Sequence, residues 1–137
     1  MNRLRRAQNA AGDWSTLDFL AELLKMHTLS ERPTLMKFAL FADIHANMHA
    51  LQAVLADAQE QGCANFVCLG DIVGYGGNPC ECLEMVRMLG CPVVRGNHDE
   101  GAADDSSLDE LNPLAEAALL WTRDQLSEER REWLREL

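Results

Sequence analysis

Three short polar clusters contain residue types that bind divalent metal ions. They are Asp43-Ile44-His45, Gly70-Asp71 and Gly96-Asn97-His98-Asp99. Each follows a short apolar run, so each is expected where a buried strand ends. Carboxylate, imidazole and amide oxygen together suit manganese, iron or zinc. The sequence therefore predicts a metal site assembled from segments that are distant along the chain.

The spacing of these residues favours a site for two metal ions. Asp43 and His45 are separated by one residue and can bind one ion at a strand end. Asp71 has two carboxylate oxygens and can bridge two ions, while Asn97 can offer its amide oxygen to the second. Two ions about 3.5–4 Å apart polarise a phosphate and lower the pKa of a bridging water. Arg95 is a candidate substrate-binding residue that could reach a phosphate, or could instead form an ion pair.

A parallel sheet would bring the three clusters together. The hydrophobic pattern predicts strands over 37–42, 65–69 and 92–95, with helices over 47–61 and 80–89 between them. This order with short connections is a parallel βαβαβ unit, so the predicted fold class is α/β. The carboxyl ends of parallel strands meet at one edge, where ligands bind. The residues expected to converge there are Asp43, His45, Asp71, Asn97 and His98.

The amino-terminal segment, residues 1–35, is predicted to be a separate extension. It contains one amphipathic helix that begins at Asp13 or Ser15 and ends near Met26. Residues 36–137 contain the three clusters and form the second predicted region.

The carboxyl-terminal segment is acidic, with twelve acidic and four basic residues between positions 99 and 137. Such a charge excess is typical of a solvated surface. The pattern predicts an acidic loop over 101–109, a helix that starts at Pro113 and a last short helix that starts at Ser127.

Composition excludes several classes of protein. The net charge of −10 over 137 residues argues against nucleic-acid binding through phosphate contacts. No apolar run approaches the ~20 residues of a membrane span, and no signal peptide is visible, so no membrane contact is expected. Five cysteines, an odd number without a C-x-x-C pair, argue against a zinc knuckle and favour free thiols in a cytoplasmic location.

In their order and spacing, the three clusters resemble the motifs of the calcineurin-like metallophosphoesterase superfamily. The second cluster continues as Gly70-Asp71-Ile72-Val73-Gly74-Tyr75-Gly76, which is similar to small bacterial and archaeal members. Some of those members are phosphodiesterases or are diadenosine-tetraphosphatase-like. The resemblance implies metal-dependent hydrolysis of a phosphodiester or phosphomonoester. It also implies a four-layer fold of which the βαβαβ unit is the first half.

The resemblance further implies a role for each site residue. Asp43 and His45 would hold metal one, Asp71 would bridge, and Asn97 would hold metal two and contact the substrate. His98 would bind the substrate and protonate the leaving oxygen or stabilise charge on the phosphoryl group. The nucleophile would be a metal-bridging hydroxide, and the ions would be manganese, with iron or zinc as alternatives.

Two departures from the family pattern bear on activity. The family completes its metal sites with later histidines, including a Gly-His-x-His motif, but no histidine follows His98 here. We therefore expect a truncated amino-terminal half that holds metal two weakly and leaves a sheet face uncovered. Gly74 stands where protein phosphatases have an aspartate that orients the catalytic histidine, which argues against protein serine/threonine phosphatase activity.

Two alternatives to catalysis stay open. The chain could be a non-catalytic half-domain that binds a metal or a partner chain, which the lack of later histidines favours. It could also be a phosphate-binding α/β module without metal, although such a site would use backbone donors and basic residues. An uncovered sheet face predicts a homo-oligomer or association with a complementary carboxyl-terminal half.

Overall fold

A computed structural model of the chain describes residues 36–104, 108 and 111–137. The predicted extension 1–35 and part of the predicted acidic loop lie outside the described residues. The described elements are β1 (Phe38–Phe41), α1 (Met48–Glu60), β2 (Asn65–Cys68), α2 (Pro79–Leu89), α3 (Asn97–Ala103), α4 (Pro113–Gln125) and α5 (Glu128–Arg135). Within this described part of the chain, none of the helices is both long and apolar enough to cross a membrane.

The sheet is parallel, as predicted. β1 and β2 pair in register, with Phe38 opposite Asn65 and Phe41 opposite Cys68, and α1 connects them. Consecutive parallel strands run in the same direction, so the chain must return to the other end of the sheet between them. A tight turn cannot do this, but a crossover helix can. The observed order of elements confirms the α/β fold class.

The third predicted strand, 92–95, is shorter than expected. It is reduced to one parallel bridge between Cys68 and Val93. Cys68 donates its N–H to the Pro92 carbonyl at 3.0 Å, and Val94 donates its N–H to the Cys68 carbonyl at 2.9 Å. Pro92 has no N–H of its own to extend this ladder, so the segment lies beside β2 without forming a full strand.

Local sequence signals account for both ends of α1, which begins directly after the first polar cluster. The Asn47 side chain accepts the Ala50 N–H at 3.0 Å, which satisfies one free donor of the first turn. Leu51 and Leu55 are buried on one face of the helix. Gly62 follows the helix with a φ of +76°, a conformation that glycine adopts at little cost.

The two faces of the sheet differ in burial. Phe41 and Cys68 are buried on one face. Alternate residues point to the opposite face, and there Phe38 and Leu40 are 51% and 63% exposed. Val94, beside β2, is also exposed. Parallel sheets are normally covered on both faces. Here one face has exposed apolar side chains, as expected for the uncovered sheet face that the sequence predicts.

α3 is the largest departure from the sequence-based expectation. The sequence predicts an acidic loop over 101–109, and this is wrong for residues 101–103, where the structure forms the end of a helix over Asn97–Ala103. Seven residues make too short a helix to be stable alone, and α3 packs against α4 and α5. Gly101 permits this close packing, because a Cβ atom there would lie 2.8 Å from Leu119 Cδ1.

Arginines of α4 and α5 bind the carboxyl-terminal end of α3. Arg123 Nε donates to the Gly101 carbonyl at 2.8 Å, while Arg131 Nε and Arg135 Nη2 donate to the Ala103 carbonyl at 3.1 and 2.9 Å. Positive charge complements the negative end of the helix dipole. The acidic carboxyl-terminal segment is therefore not only a solvated surface, since three of its four arginines bind this helix.

Candidate metal centre

The loops that follow β1 and β2 are joined by backbone hydrogen bonds. Asp43 and His45 donate their N–H groups to the carbonyls of Gly70 and Asp71, at 3.2 and 2.9 Å. In return, Gly76 donates its N–H to the His45 carbonyl at 2.9 Å. The two loops thus continue the parallel pairing beyond the strands and hold the first two polar clusters side by side.

The structure brings Asp43, His45 and Asp71 into one group. Each offers a ligand atom, and these atoms all lie within 4.8 Å of one another. His45 Nδ1 lies 3.3 Å from the Val73 carbonyl, and its Nε2 lies 3.5 Å from Asp43 Oδ1. A proton on Nδ1 would be donated to Val73, which leaves the Nε2 lone pair for a metal ion.

The backbone of this edge is strained. Five residues other than glycine have a positive φ, between +47° and +55°; they are Asp43, His45, Ala46, Asp71 and Tyr75. The left-handed conformation costs roughly 1–2 kcal/mol per residue for side chains with a Cβ atom. Such conformations persist only where surrounding contacts fix them, and they cluster at functional sites. The positive φ values are therefore concentrated at the metal-ligand candidates and their immediate neighbours.

His98 lies against the same group. Its backbone N–H donates to Asp71 Oδ1 at 2.9 Å. Its ring lies edge-on to His45 with 4.7 Å between centroids, and 4.7 Å from the Tyr75 ring. The side chain is buried, and its Nδ1 atom has no hydrogen-bond partner among the described residues. A buried polar atom without a partner is costly, and this atom faces the loop at Gly74.

Burial sets the protonation of His98. It lowers the pKa of the imidazole below its ordinary value, because the charged form is poorly solvated. The Asp71 carboxylate opposes this shift, His45 adds to it, and Asp43 opposes it. The neutral imidazole is therefore favoured near pH 7.

The structure places the other two predicted residues differently. Asn97 is the first residue of α3, exposed and adjacent to His98. Arg95 points its guanidinium to α5, where Nη1 donates to the Arg135 carbonyl at 3.3 Å and Nη2 lies 3.9 Å from Glu100 Oε1. The ion-pair alternative for Arg95 is thus the one observed. The assignments of Asn97 and Arg95 to ligand and substrate stay predictions.

Two further residues at this edge are not among the predicted site residues. Asp99 is fully buried and accepts three backbone N–H groups around the cluster. Tyr75 is half-exposed and packs its ring edge-on against His45, with 5.0 Å between centroids. The sequence signal for Tyr75 is its position between Gly74 and Gly76, where a large side chain in a tight loop is unusual.

Two glycines allow the parts of the site to approach. A Cβ atom at Gly74 would lie 2.6 Å from His98 Nδ1, and one at Gly96 would collide with the Asp71 carboxylate and backbone. Gly74 also has a φ of +93°. A side chain larger than hydrogen at position 74 would therefore require the His98 ring to move.

The donor set fits a divalent cation. Two carboxylates and one imidazole nitrogen offer mixed oxygen and nitrogen ligands, as manganese, iron and zinc accept. The Nδ1 contact to Val73 orients the imidazole as a ligand in the way that outer hydrogen bonds do at metal sites. Among the described residues, this is the group of His, Cys, Asp or Glu side chains able to hold an ion.

Comparison with known proteins gives concordant results. Residues 36–135 match the sequence family described as calcineurin-like phosphoesterase. An uncharacterised protein of Methanocaldococcus jannaschii is 47% identical over 96 residues, which cover 70% of this chain and 40% of that protein. The crystal structure of a metallophosphoesterase from Sphaerobacter thermophilus superposes with a TM-score of 0.63 and 45% identity, over 76% of this chain and 42% of that one. The chain therefore spans about two fifths of the length of these relatives.

Proposed function

The chain belongs to the calcineurin-like phosphoesterase family, and we propose that its site binds divalent metal ions and hydrolyses phosphate esters. The observation that carries this proposal is the group of Asp43, His45 and Asp71, with His98 beside it. The strained backbone at these residues supports a role in binding, because strain of this kind costs stability and clusters at functional sites.

Asp43, His45 and Asp71 would hold the first ion, and Asp71 with Asn97 would hold the second. When bound, the ions supply Lewis acidity that withdraws electrons from a phosphoryl oxygen and activates water. Other residues of the chain position the side chains that would hold these ions. Val73 orients His45 through its carbonyl, and the His98 N–H holds Asp71 Oδ1 in place.

His98 supplies the proton. In the reaction a water oxygen bonds to phosphorus, the ester P–O bond breaks, and the leaving oxygen takes a proton. We assign that proton to His98 Nε2, because Nδ1 is enclosed against Gly74 without a partner. His98 donates from its imidazolium form, which carries a proton on each ring nitrogen, and becomes the neutral imidazole; solvent restores the proton after each turnover. Burial lowers the pKa of His98, so the imidazolium gives up this proton more readily than that of an exposed histidine.

The finer parts of the proposal rest on the sequence. The substrate would be a phosphodiester or a phosphomonoester, and the ions would be manganese, with iron or zinc as alternatives. A cytoplasmic location is supported by five cysteines that are unpaired, since thiols stay reduced there.

A second candidate function is that of a half-domain that binds metal and a partner chain without turnover. The exposed apolar face at Phe38, Leu40 and Val94 favours it, because parallel sheets are normally covered. Since the relatives are about two and a half times as long as the matched segment, we propose that the covering element is a polypeptide equivalent to their remaining part. A second copy of the chain is the competing occupant, and sedimentation of the purified chain distinguishes a dimer from a monomer that awaits this partner.

The first test measures bound manganese and the turnover of bis-p-nitrophenyl phosphate. We expect the wild-type chain to bind Mn²⁺ and to hydrolyse the diester, and Asp71→Asn to lose both because the central carboxylate is removed. Asp57→Asn is the matched control, since Asp57 is an exposed carboxylate near the far end of α1. Equal turnover in Asp71→Asn and the parent would contradict the proposal. Metal binding without turnover would favour the half-domain.

A second variant separates binding from proton transfer. We expect His98→Ala to slow turnover about 10²–10⁴-fold, the usual loss when a general acid is removed, while Mn²⁺ content stays close to that of the parent. Loss of the metal in this variant would instead make His98 a ligand.

A further inference from the structure

Asp99 is a buried carboxylate that the proposed reaction does not use. It is fully buried, one residue after His98 in the first turn of α3. Its Oδ1 atom accepts the N–H groups of Ile72 and Val73 at 2.8 and 3.2 Å, and its Oδ2 accepts the Gly96 N–H at 3.0 Å. The contact to Gly96 caps α3, but the other two reach across to the loop after β2.

These contacts form a reciprocal pair with those of Asp71. The Asp71 carboxylate accepts the His98 N–H from the start of α3, while the Asp99 carboxylate accepts the N–H groups of the two residues that follow Asp71. The loop that carries Asp71 and the helix that carries His98 are therefore tied at two points. Asp71 lies between these ties with a φ of +53°, a conformation that needs external support.

The energetics of Asp99 argue against a purely structural role. A carboxylate that is buried away from water costs stability, and a well-packed apolar residue is often better tolerated at such a position. Helix capping alone can be achieved by an exposed Ser, Thr or Asp, so capping does not explain why the group is fully buried.

We propose that Asp99 is a positioning residue that holds Asp71 in its strained, metal-binding conformation and fixes its distance to His98. This proposal rests on the proposed function in one respect, the binding of a divalent ion by Asp71. It adds a residue that touches neither metal nor substrate and acts through the backbone of Ile72 and Val73.

The test compares Mn²⁺ affinity, measured by titration calorimetry with the metal alone, in the wild-type chain and in Asp99→Ala. Alanine has neither acceptor oxygen, so the N–H groups of Ile72 and Val73 both lose the partner that ties them to α3. We expect Mn²⁺ to bind about ten- to a hundredfold more weakly, the range seen when outer hydrogen bonds of metal sites are removed. Affinity within twofold of the wild type in a folded Asp99→Ala chain would overturn the proposal and leave the proposed function intact.

Two controls separate positioning from general destabilisation. Thr122→Val removes a buried hydrogen bond from Thr122 Oγ1 to the Ala118 carbonyl, 2.8 Å long and within α4. It should lower the melting temperature without changing Mn²⁺ affinity, and an equal loss of affinity in both variants would overturn the proposal. Asp71→Asn tests the premise, since unchanged affinity in that variant would show that the proposed metal site is wrong.

A measurement on the wild-type chain does not depend on whether a variant folds. Coupling between two sites is reciprocal, so a bound ion should strengthen the contacts that Asp99 makes. We expect saturating Mn²⁺ to slow amide hydrogen exchange at Ile72 and Val73 about tenfold and to leave the Leu51 amide of α1 unchanged. Unchanged exchange at Ile72 and Val73 while Mn²⁺ binds would overturn the proposal.

Discussion

The two ends of α3 differ in how fully their hydrogen-bonding groups are paired and in how strained the backbone around them is. At its amino-terminal end, His98 has an unpartnered Nδ1 atom, and the neighbouring loops hold Asp43, His45 and Asp71 at positive φ. At its carboxyl-terminal end, the Ala103 carbonyl accepts hydrogen bonds from Arg131 and Arg135. Both arginines lie in the regular helix α5. One end keeps unsatisfied groups beside the candidate ligands, and the other has its hydrogen-bonding groups paired.

This difference shows how a seven-residue helix can present a reactive side chain. Alone, α3 would not be stable. The arginines and the packing of Leu119 against Gly101 fix one end, so the strain and the orphaned nitrogen of the other end are tolerated. Stability is supplied by α4 and α5, and the proposed metal ligands lie in the loops that follow β1 and β2.

The largest expected effect comes from removing the packing that supports α3. Leu119 is almost fully buried and lies against Gly101. Leu119→Ala removes three carbon atoms and leaves a cavity, so we expect the free energy of unfolding to fall by about 2–5 kcal/mol. Urea denaturation followed by circular dichroism measures this. If Leu119→Ala costs less than about 1 kcal/mol, α3 is not held in the way described.

The regions that could be predicted from sequence are those specified locally. β1, α1, β2 and α2 lie within two residues of their predicted bounds, because apolar periodicity and glycine or proline signals set their limits. The approach of Asp43, His45 and Asp71 follows from the rule that parallel strands end at one edge.

The features that could not be predicted depend on distant contacts. α3 contains Gly101, lacks apolar periodicity and is set by arginines of α4 and α5, so its own sequence resembles a loop. Asp99 accepts hydrogen bonds from backbone groups 26 and 27 residues away, and its side chain alone gives no sign of this. Arg95 ends the third segment as predicted, but the Arg135 carbonyl and Glu100 determine where its guanidinium points.

An intermediate effect should be confined to the amino-terminal end of α3. A Cβ atom at Gly96 would collide with the Asp71 carboxylate and backbone, whereas one at Gly77 meets nothing within 4 Å. We expect Gly96→Ala to cost about 1–3 kcal/mol of stability, as overpacking does, and to weaken Mn²⁺ binding by displacing Asp71. Gly77→Ala is the matched control and should change neither quantity. Equal Mn²⁺ affinity in the two variants, measured by calorimetry, would show that the close approach of Gly96 to Asp71 does not position the carboxylate.

The smallest effect should come from the carboxyl-terminal end of α3, where contacts are redundant. Arg131→Ala removes one of two guanidinium groups on the Ala103 carbonyl, and Arg135 remains. We therefore expect a loss of about 1 kcal/mol, the usual contribution of one hydrogen bond, with unchanged Mn²⁺ affinity. Lys37→Ala is a comparison outside α3, because it removes a similar hydrogen bond from Lys37 Nζ to the Gln61 carbonyl after α1. Its change in the free energy of unfolding shows how much one exposed contact of this kind contributes. If Arg131→Ala weakened Mn²⁺ binding as strongly as Gly96→Ala, the two ends would be coupled, and the arginines would belong to the site rather than to its support.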